Sequence, residues 1–231
     1  MLGGGEKQVM TDTGIKKRIF LVDDHPLVRE WLAHLINQQA DLTVCGEAES
    51  APGALTSIAS AQPDLSIVDI TLKNSSGIEL IKNLKELHPD LPVLVLSMHD
   101  ESLYAERALR AGARGYVNKG ETAQKVVEAI RRILEGKLYI SEKTVELMAA
   151  RSISGKGPAN QSPVLLLSDR ELEVFERLGQ GIGTRQIAVE FGVSVKTIQA
   201  YCARIKEKLN LTSATGLLRE AIRWNESKNA N

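Results

Sequence analysis

The chain has only two cysteines, Cys45 and Cys202, among 231 residues. They lie far apart, in segments of different character. A disulfide scaffold is therefore excluded, and two packed thiols in a reducing cytoplasm are expected. An excess of charge is also lacking, since 29 basic side chains balance 29 acidic ones. A globally basic nucleic-acid binder is excluded by that balance, and any such footprint must be local. No apolar run is long enough to span a membrane. The Gly-rich, polar start has no apolar signal-peptide core, so residues 1–17 are expected to be a disordered N-terminal segment.

What is present is an alternation. Short apolar runs, Ile19–Asp23, Leu42–Ala48, Leu65–Asp69, Val93–Ser97 and Gly115–Asn118, are separated by segments with helical spacing. Leu27, Trp31 and Leu35, with Val28, Leu32 and Ile36, recur at i, i+4 and i+8. Ile78, Ile81 and Leu84, then Val126, Ile130 and Ile133, behave alike, and Thr122 is placed to cap the last of these helices. Five strand–helix repeats predict an α/β doubly wound five-stranded parallel sheet over residues 18–137. A connecting helix from Ser141 to about Ala150 and a polar linker at Ser152–Pro163 fill residues 138–166. Residues 167–228 read as a small all-α domain.

In a doubly wound sheet, ligands sit outside the carboxyl ends of the strands. Asp23, Asp24, Asp69, Ser97 and Lys119 all fall at those ends. A lone strand-end aspartate is more often a turn or cap residue. Three acids, a lysine and a serine at adjacent strand ends are better explained as one site. A carboxylate can act as the nucleophile toward a phosphoryl group. It then needs a hard cation against the incoming oxygens, and Mg²⁺ takes oxygen ligands while keeping waters. Asp24 and Asp69 are the expected direct ligands, with Asp23 acting through water and Thr71 offering its backbone carbonyl. Lys119 can pair with the phosphoryl group as a point charge, and Ser97 can donate its hydroxyl.

The last segment opens on Ser168–Asp169–Arg170–Glu171, the spacing of a capping box. Leu172, Phe175 and Leu178 follow on one face, and Gly179–Gln180–Gly181 stops the helix. Thr184 is placed to cap a second helix that Gly192 ends, and Ser194 a third. In the third, Ile198, Cys202, Ile205 and Leu209 form an inward stripe. Two short capped helices joined by a Gly turn predict a helix-turn-helix. Its second helix would enter the major groove of double-stranded DNA. The inward stripe turns Lys196, Ala200, Ala203 and Arg204 outward, with Gln199 on the shoulder. Thr184, Arg185, Thr197, Lys206 and Lys208 complete the expected DNA-contacting set through charge and helix starts. One such unit makes few base contacts, so a homodimer on two half-sites is expected. A protein-binding helical bundle with solvated charges is the competing reading of composition alone.

Val22–Asp23–Asp24–His25–Pro26, Val68–Asp69–Ile70, Gly77–Ile78–Glu79, Leu96–Ser97 and Ala113–Arg114–Gly115–Tyr116–Val117–Asn118–Lys119–Gly120 closely resemble the receiver domain of two-component response regulators. Leu167–Val174 and Gln186–Ile198 look like the LuxR-type helix-turn-helix. Together, Arg18 to Trp224 resembles the NarL/FixJ-type response regulators. The resemblance implies a flavodoxin-like receiver and phosphorylation of Asp69 by a sensor histidine kinase. It also implies Mg²⁺ dependence, Ser97 and Tyr116 as a coupled switch, and control of transcription rather than turnover of a substrate. Two departures stand out. Lys73 occupies a position where receivers often carry Pro, which points to a more mobile, more basic loop. Gln199, Tyr201 and Ala203 differ from frequent choices in the reading helix, which points to a different target sequence.

Two rivals remain at this level. A phosphatase using Asp69 as nucleophile needs a nearby second acid, and the residue two after Asp69 is Thr71. A phosphorylation-independent regulator with a vestigial site is opposed by the intact set Asp24, Asp69, Ser97 and Lys119.

Overall fold

The structure is a computed structural model that describes residues 15–153 and 163–229. Five parallel strands, β1 (Lys17–Val22), β2 (Leu42–Ala48), β3 (Leu65–Val68), β6 (Val93–Ser97) and β7 (Gly115–Asn118), form one sheet in the order β2-β1-β3-β6-β7. The order reverses beside β1, where β3 pairs with β1 on the side opposite β2. That is the switch point at which the carboxyl ends of β1 and β3 diverge to leave a crevice.

Side chains alternate across each strand, and both faces are apolar, as a sheet covered on both sides requires. Ile19 and Leu21 face a core closed by α1 (Pro26–Asn37) and α5 (Ala123–Leu134). Phe20 and Val22 face the other core, closed by α2 (Ala51–Ala61), α3 (Gly77–Leu87) and α4 (Glu101–Ala111). Thr122 caps α5 as its position predicts, accepting from the Lys125 N–H at 3.4 Å.

The loop after β3 is more ordered than its polar sequence suggests. Thr71–Leu72 and Ser75–Ser76 pair as a small antiparallel hairpin, β4 and β5. Its turn uses Asn74 at φ 59°, a left-handed conformation that Asn tolerates better than most residues. The loop carrying Lys73 is thus a defined turn.

The connecting helix, α6 (Glu142–Ile153), is followed by residues 154–162, so most of the linker at Ser152–Pro163 lies outside the described residues, as do residues 1–14 of the N-terminal segment. Lys17 already belongs to β1. A 3-10 turn at Pro163–Leu166 leads into α7 (Asp169–Gly179), α8 (Thr184–Glu190), α9 (Val195–Lys208) and α10 (Ala214–Asn229). The capping box is formed: Glu171 N–H donates to Ser168 Oγ at 3.4 Å and Ser168 N–H to Glu171 Oε2 at 2.8 Å. Ser194 caps α9 by accepting from the Thr197 N–H at 3.1 Å. Thr184 does not cap α8. Gly183 holds that position, and Thr184 sits one residue inside, because the turn from Gly181 needs one more extended residue before helical geometry begins.

The polar linker suggests two bodies with little between them. In the structure the apolar core on the α3 and α4 side runs on into the helical domain through Val164, Leu167 and Leu172. The domains are docked.

Candidate functional site

Asp23, Asp24 and His25 follow β1, and Asp69 follows β3, so the sheet's switch point brings them together. One potential ligand atom from each of the four lies within 4.8 Å of the others. Asp69 is buried, with 4% of its surface exposed. Burial pushes its carboxyl above the usual range, with the Lys119 ammonium opposing that shift. Lys119, just past β7, donates to Asp23 Oδ2 at 2.6 Å and to Asp69 Oδ2 at 2.7 Å. Burial disfavours its charge, yet the two carboxylates outweigh it and hold Lys119 protonated above its ordinary value. Asp69 Oδ1 accepts from the Thr71 N–H at 3.4 Å. Gly77 packs directly against the Asp69 backbone, where any Cβ would overlap the carbonyl oxygen.

The cluster suits a hard cation. Its donors are carboxylate oxygens apart from His25, and imidazole is a poor partner for Mg²⁺. Asp24 Oδ1 is buried without a hydrogen bond among the described residues. It stands 2.8 Å from His25 Nδ1, at an angle that makes no hydrogen bond. A buried, unsatisfied carboxylate oxygen beside two further acids is what a cation would satisfy. Sequence reasoning gave His25 no ligand role, and its motif position was the available signal.

Ser97 ends β6, fully buried, and its Oγ accepts from the His99 N–H at 3.3 Å. Tyr116, 1% exposed, is already inside, and its hydroxyl donates to the His99 carbonyl at 2.8 Å. Tyr116 is expected to fill space that Ser97 vacates, and its ring lies in the inner position. Burial pushes the Tyr116 phenol well above its usual range, so it stays a donor.

In the helical domain the inward stripe is as expected, with Ile198 and Ile205 fully buried. Lys196, Gln199, Ala200, Ala203, Arg204 and, on α8, Arg185 are exposed to solvent. Thr184, Thr197 and Lys206 are half-buried at the margins, with Thr197 engaged in the Ser194 cap. Lys208 departs from expectation. Its ammonium donates to Glu171 Oε2 at 2.7 Å and to the Leu166 carbonyl at 3.2 Å, so it braces the start of α7 rather than facing a phosphate.

Between the domains lies a seam of charged and hydroxyl groups. Asp169 accepts from Arg107 at 3.0 Å and Lys82 at 3.1 Å. Ser76 Oγ donates to Glu173 at 3.2 Å. Glu176 Oε2 accepts from the Tyr104 hydroxyl at 2.7 Å and lies 3.0 Å from His99 Nδ1. Asn74 rests on Gly192, where a Cβ would stand 2.5 Å from the Asn74 side-chain oxygen. A cleft of about 320 Å³ beside the acidic cluster is lined by Asp24 and Thr71 on one side and Arg170, Arg177 and Phe191 on the other. His99, Tyr104 and Glu176 went unremarked in the sequence. The hint was that α7 carries four acids, Asp169, Glu171, Glu173 and Glu176, around an apolar stripe.

Residues 19–131 match the family model described as response regulator receiver domain, and residues 165–221 match bacterial regulatory proteins, luxR family. The chain belongs to the response regulators that join a receiver to a LuxR-type DNA-binding domain and regulate transcription. Among its relatives is the transcriptional activator protein ExaE of Pseudomonas putida, 37% identical over 204 residues, spanning 88% of this chain and 95% of that protein. The oxygen regulatory protein NreC of Staphylococcus carnosus is 31% identical, spanning 89% and 97%. A solved structure of RcsB from Salmonella enterica serovar Typhimurium, bound to promoter rprA in the presence of phosphomimetic BeF3⁻, is 25% identical with a TM-score of 0.61. That match covers 88% of this chain and 97% of RcsB.

Proposed function

We propose that this response regulator is switched by phosphorylation of Asp69, with a histidine kinase as donor, and that the switched form binds double-stranded DNA as a dimer. The observation that carries the reading is the buried Asp69 carboxylate, 2.7 Å from the Lys119 ammonium and grouped with Asp23 and Asp24. An Asp69 oxygen attacks the phosphorus of a phosphohistidine. The oxygen–phosphorus bond forms, the nitrogen–phosphorus bond breaks, and the electron pair returns to the histidine ring. When bound, Mg²⁺ supplies positive charge against the phosphoryl oxygens, held by Asp24 and Asp69, through water by Asp23, and by the Thr71 carbonyl. Lys119 turns its ammonium from the carboxylates to the phosphoryl group, and Ser97 donates its hydroxyl to a phosphoryl oxygen. Tyr116, already inside, keeps the backbone after Ser97 in place.

On the DNA side, Lys196, Gln199, Ala200, Ala203 and Arg204 form the reading face, with Thr184, Arg185, Thr197 and Lys206 at its margins. The dimeric state of RcsB on DNA supports the same arrangement. The test is intact-mass measurement after acetyl phosphate with Mg²⁺, followed by DNA titration. Wild type should gain one phosphoryl group and bind more tightly. Full labelling of the Asp69→Asn protein would refute the assignment.

A further inference from the structure

Control in such a chain needs a physical route from Asp69 to the helical domain. Masking of the reading face is not that route here. In the docked pose Lys196, Gln199, Ala200, Ala203 and Arg204 are all open to solvent. What docking fixes is the position of α7 against the receiver.

We propose that His99 is the relay between the two: its ring bridges Thr71, beside the phosphoacceptor, and Glu176 of α7, and its backbone is held by Ser97 and Tyr116. The proposal rests on Asp69 being the phosphorylated residue. His99 Nε2 lies 2.8 Å from Thr71 Oγ1, and Thr71 N–H donates to Asp69 Oδ1 at 3.4 Å. On the far side, His99 Nδ1 lies 3.0 Å from Glu176 Oε2. The Nδ1–Glu176 approach is a close charge-pair contact, and the Nε2–Thr71 contact is a hydrogen bond whose donor is set by the ring's tautomer. Tyr104 stacks against the His99 ring, with centroids 4.4 Å apart, and donates to the same Glu176 oxygen.

The backbone of His99 is tied to both switch residues. Its N–H donates to Ser97 Oγ at 3.3 Å, and its carbonyl accepts from the Tyr116 hydroxyl at 2.8 Å and Asn118 Nδ2 at 3.2 Å. Movement of Ser97 Oγ toward a phosphoryl group on Asp69 would strain its contact with the His99 N–H. Thr71 is drawn on as well, since its N–H and carbonyl border the new group. The Ser97 contact to the His99 backbone and the Thr71 contact to its ring are thus both perturbed in the same event.

The energetics make the response switch-like. Glu176 is buried, 4% exposed, at the seam. A buried carboxylate that loses a nearby polar partner is disfavoured unless water reaches it. Losing His99 therefore favours undocking over a gradual loosening. Arg107 and Lys82 also hold α7 through Asp169, Lys82 being the more solvated of the two. The neighbouring acid Glu173 adds to the tendency, because burial raises its carboxyl's proton affinity and water relieves it.

The test uses the full chain, labelled by Glu30→Cys and Arg219→Cys in a Cys45→Ala, Cys202→Ala background, with energy transfer reporting docking. Phosphoryl incorporation from acetyl phosphate with Mg²⁺ is read separately by intact mass. Wild type should be docked without the donor and separate with it. His99→Ala and, on the other domain, Glu176→Gln should separate without the donor, while still taking up one phosphoryl group. The His99→Ala, Glu176→Gln double variant should be no more open than either single one, whereas independent packing roles would add. His99→Ala and Glu176→Gln proteins that stay docked until phosphorylated, as wild type does, overturn the relay alone. Additive opening in the double variant also overturns it. A wild-type chain that takes up no phosphoryl group removes the phosphoacceptor reading, and the relay with it.

Discussion

Gly77 lies so close beneath Asp69 that a methyl group at its Cα would overlap the Asp69 carbonyl oxygen. The contact is made as the chain returns from the β4–β5 hairpin, where the Gly77 N–H donates to the Ile70 carbonyl at 2.7 Å. The floor of the proposed phosphoryl site is therefore backbone against backbone. Gly77→Ala should displace Asp69 relative to Lys119 and slow acetyl phosphate labelling by roughly 100-fold, as ångström-scale misplacement does. Labelling rates by intact mass check this, and a rate within threefold of wild type contradicts it.

Ser97→Ala removes a hydroxyl but no ligand of the cation. The variant should still incorporate phosphoryl at Asp69 while losing most of the accompanying gain in DNA affinity. Parallel mass and DNA titrations separate the two effects. An undiminished gain would take Ser97 out of the coupling.

Glu171 gives a pH signature. Burial opposes its charge, but Lys208 and the Ser168 donors outweigh that and hold its carboxyl below the ordinary value of 4.5. A depressed folded pKa contributes stability that is present above the unfolded value and lost as pH falls through the folded one. Glu171→Gln keeps a capping box and removes the charge. Its stability deficit against wild type in urea should be full at neutral pH and shrink as pH falls below about 4.5. Ser168→Ala, which removes the cap itself, should cost about 1 kcal/mol.

On DNA, Lys206→Ala should weaken all sequences similarly and flatten the salt dependence by about one unit of slope, as a lost phosphate contact does. Gln199→Ala should relax preference at one base pair, costing roughly 1–3 kcal/mol there if the contact is bidentate. Lys208→Ala should instead lower the urea midpoint of the helical domain and leave the salt slope unchanged, because its partner is Glu171. Binding-site selection and salt titration on each variant distinguish the three.

The receiver was readable because its signals are local. Apolar runs of strand length end in Asp23, Asp69 and Lys119, and a parallel sheet gathers strand ends without further instruction. The caps at Thr122, Ser168 and Ser194 were readable for the same reason, each being one hydroxyl three residues from its donor. Docking was not readable. Glu173 and Glu176 look like the solvated side of an amphipathic helix, and only tertiary contact with Ser76, Tyr104 and His99 buries them. Lys208 looked like a phosphate ligand because it ends a basic helix, yet its carboxylate partner lies 37 residues away in sequence. The turn at Lys73–Asn74 looked loose from its composition, but hairpin pairing and the left-handed Asn74 fix it.

The open reading helix of the docked pose has a kinetic consequence. Non-specific attachment to a duplex depends mainly on charges meeting phosphates, and those charges are available before any signal arrives. An unswitched molecule can therefore ride along DNA and sample sites, one head at a time. In the proposed scheme it lacks a second head held in register, so each visit ends quickly. On this geometry the signal lengthens the stay at a site already being visited, and the speed of response is set by the local scan rather than by a search through the cell.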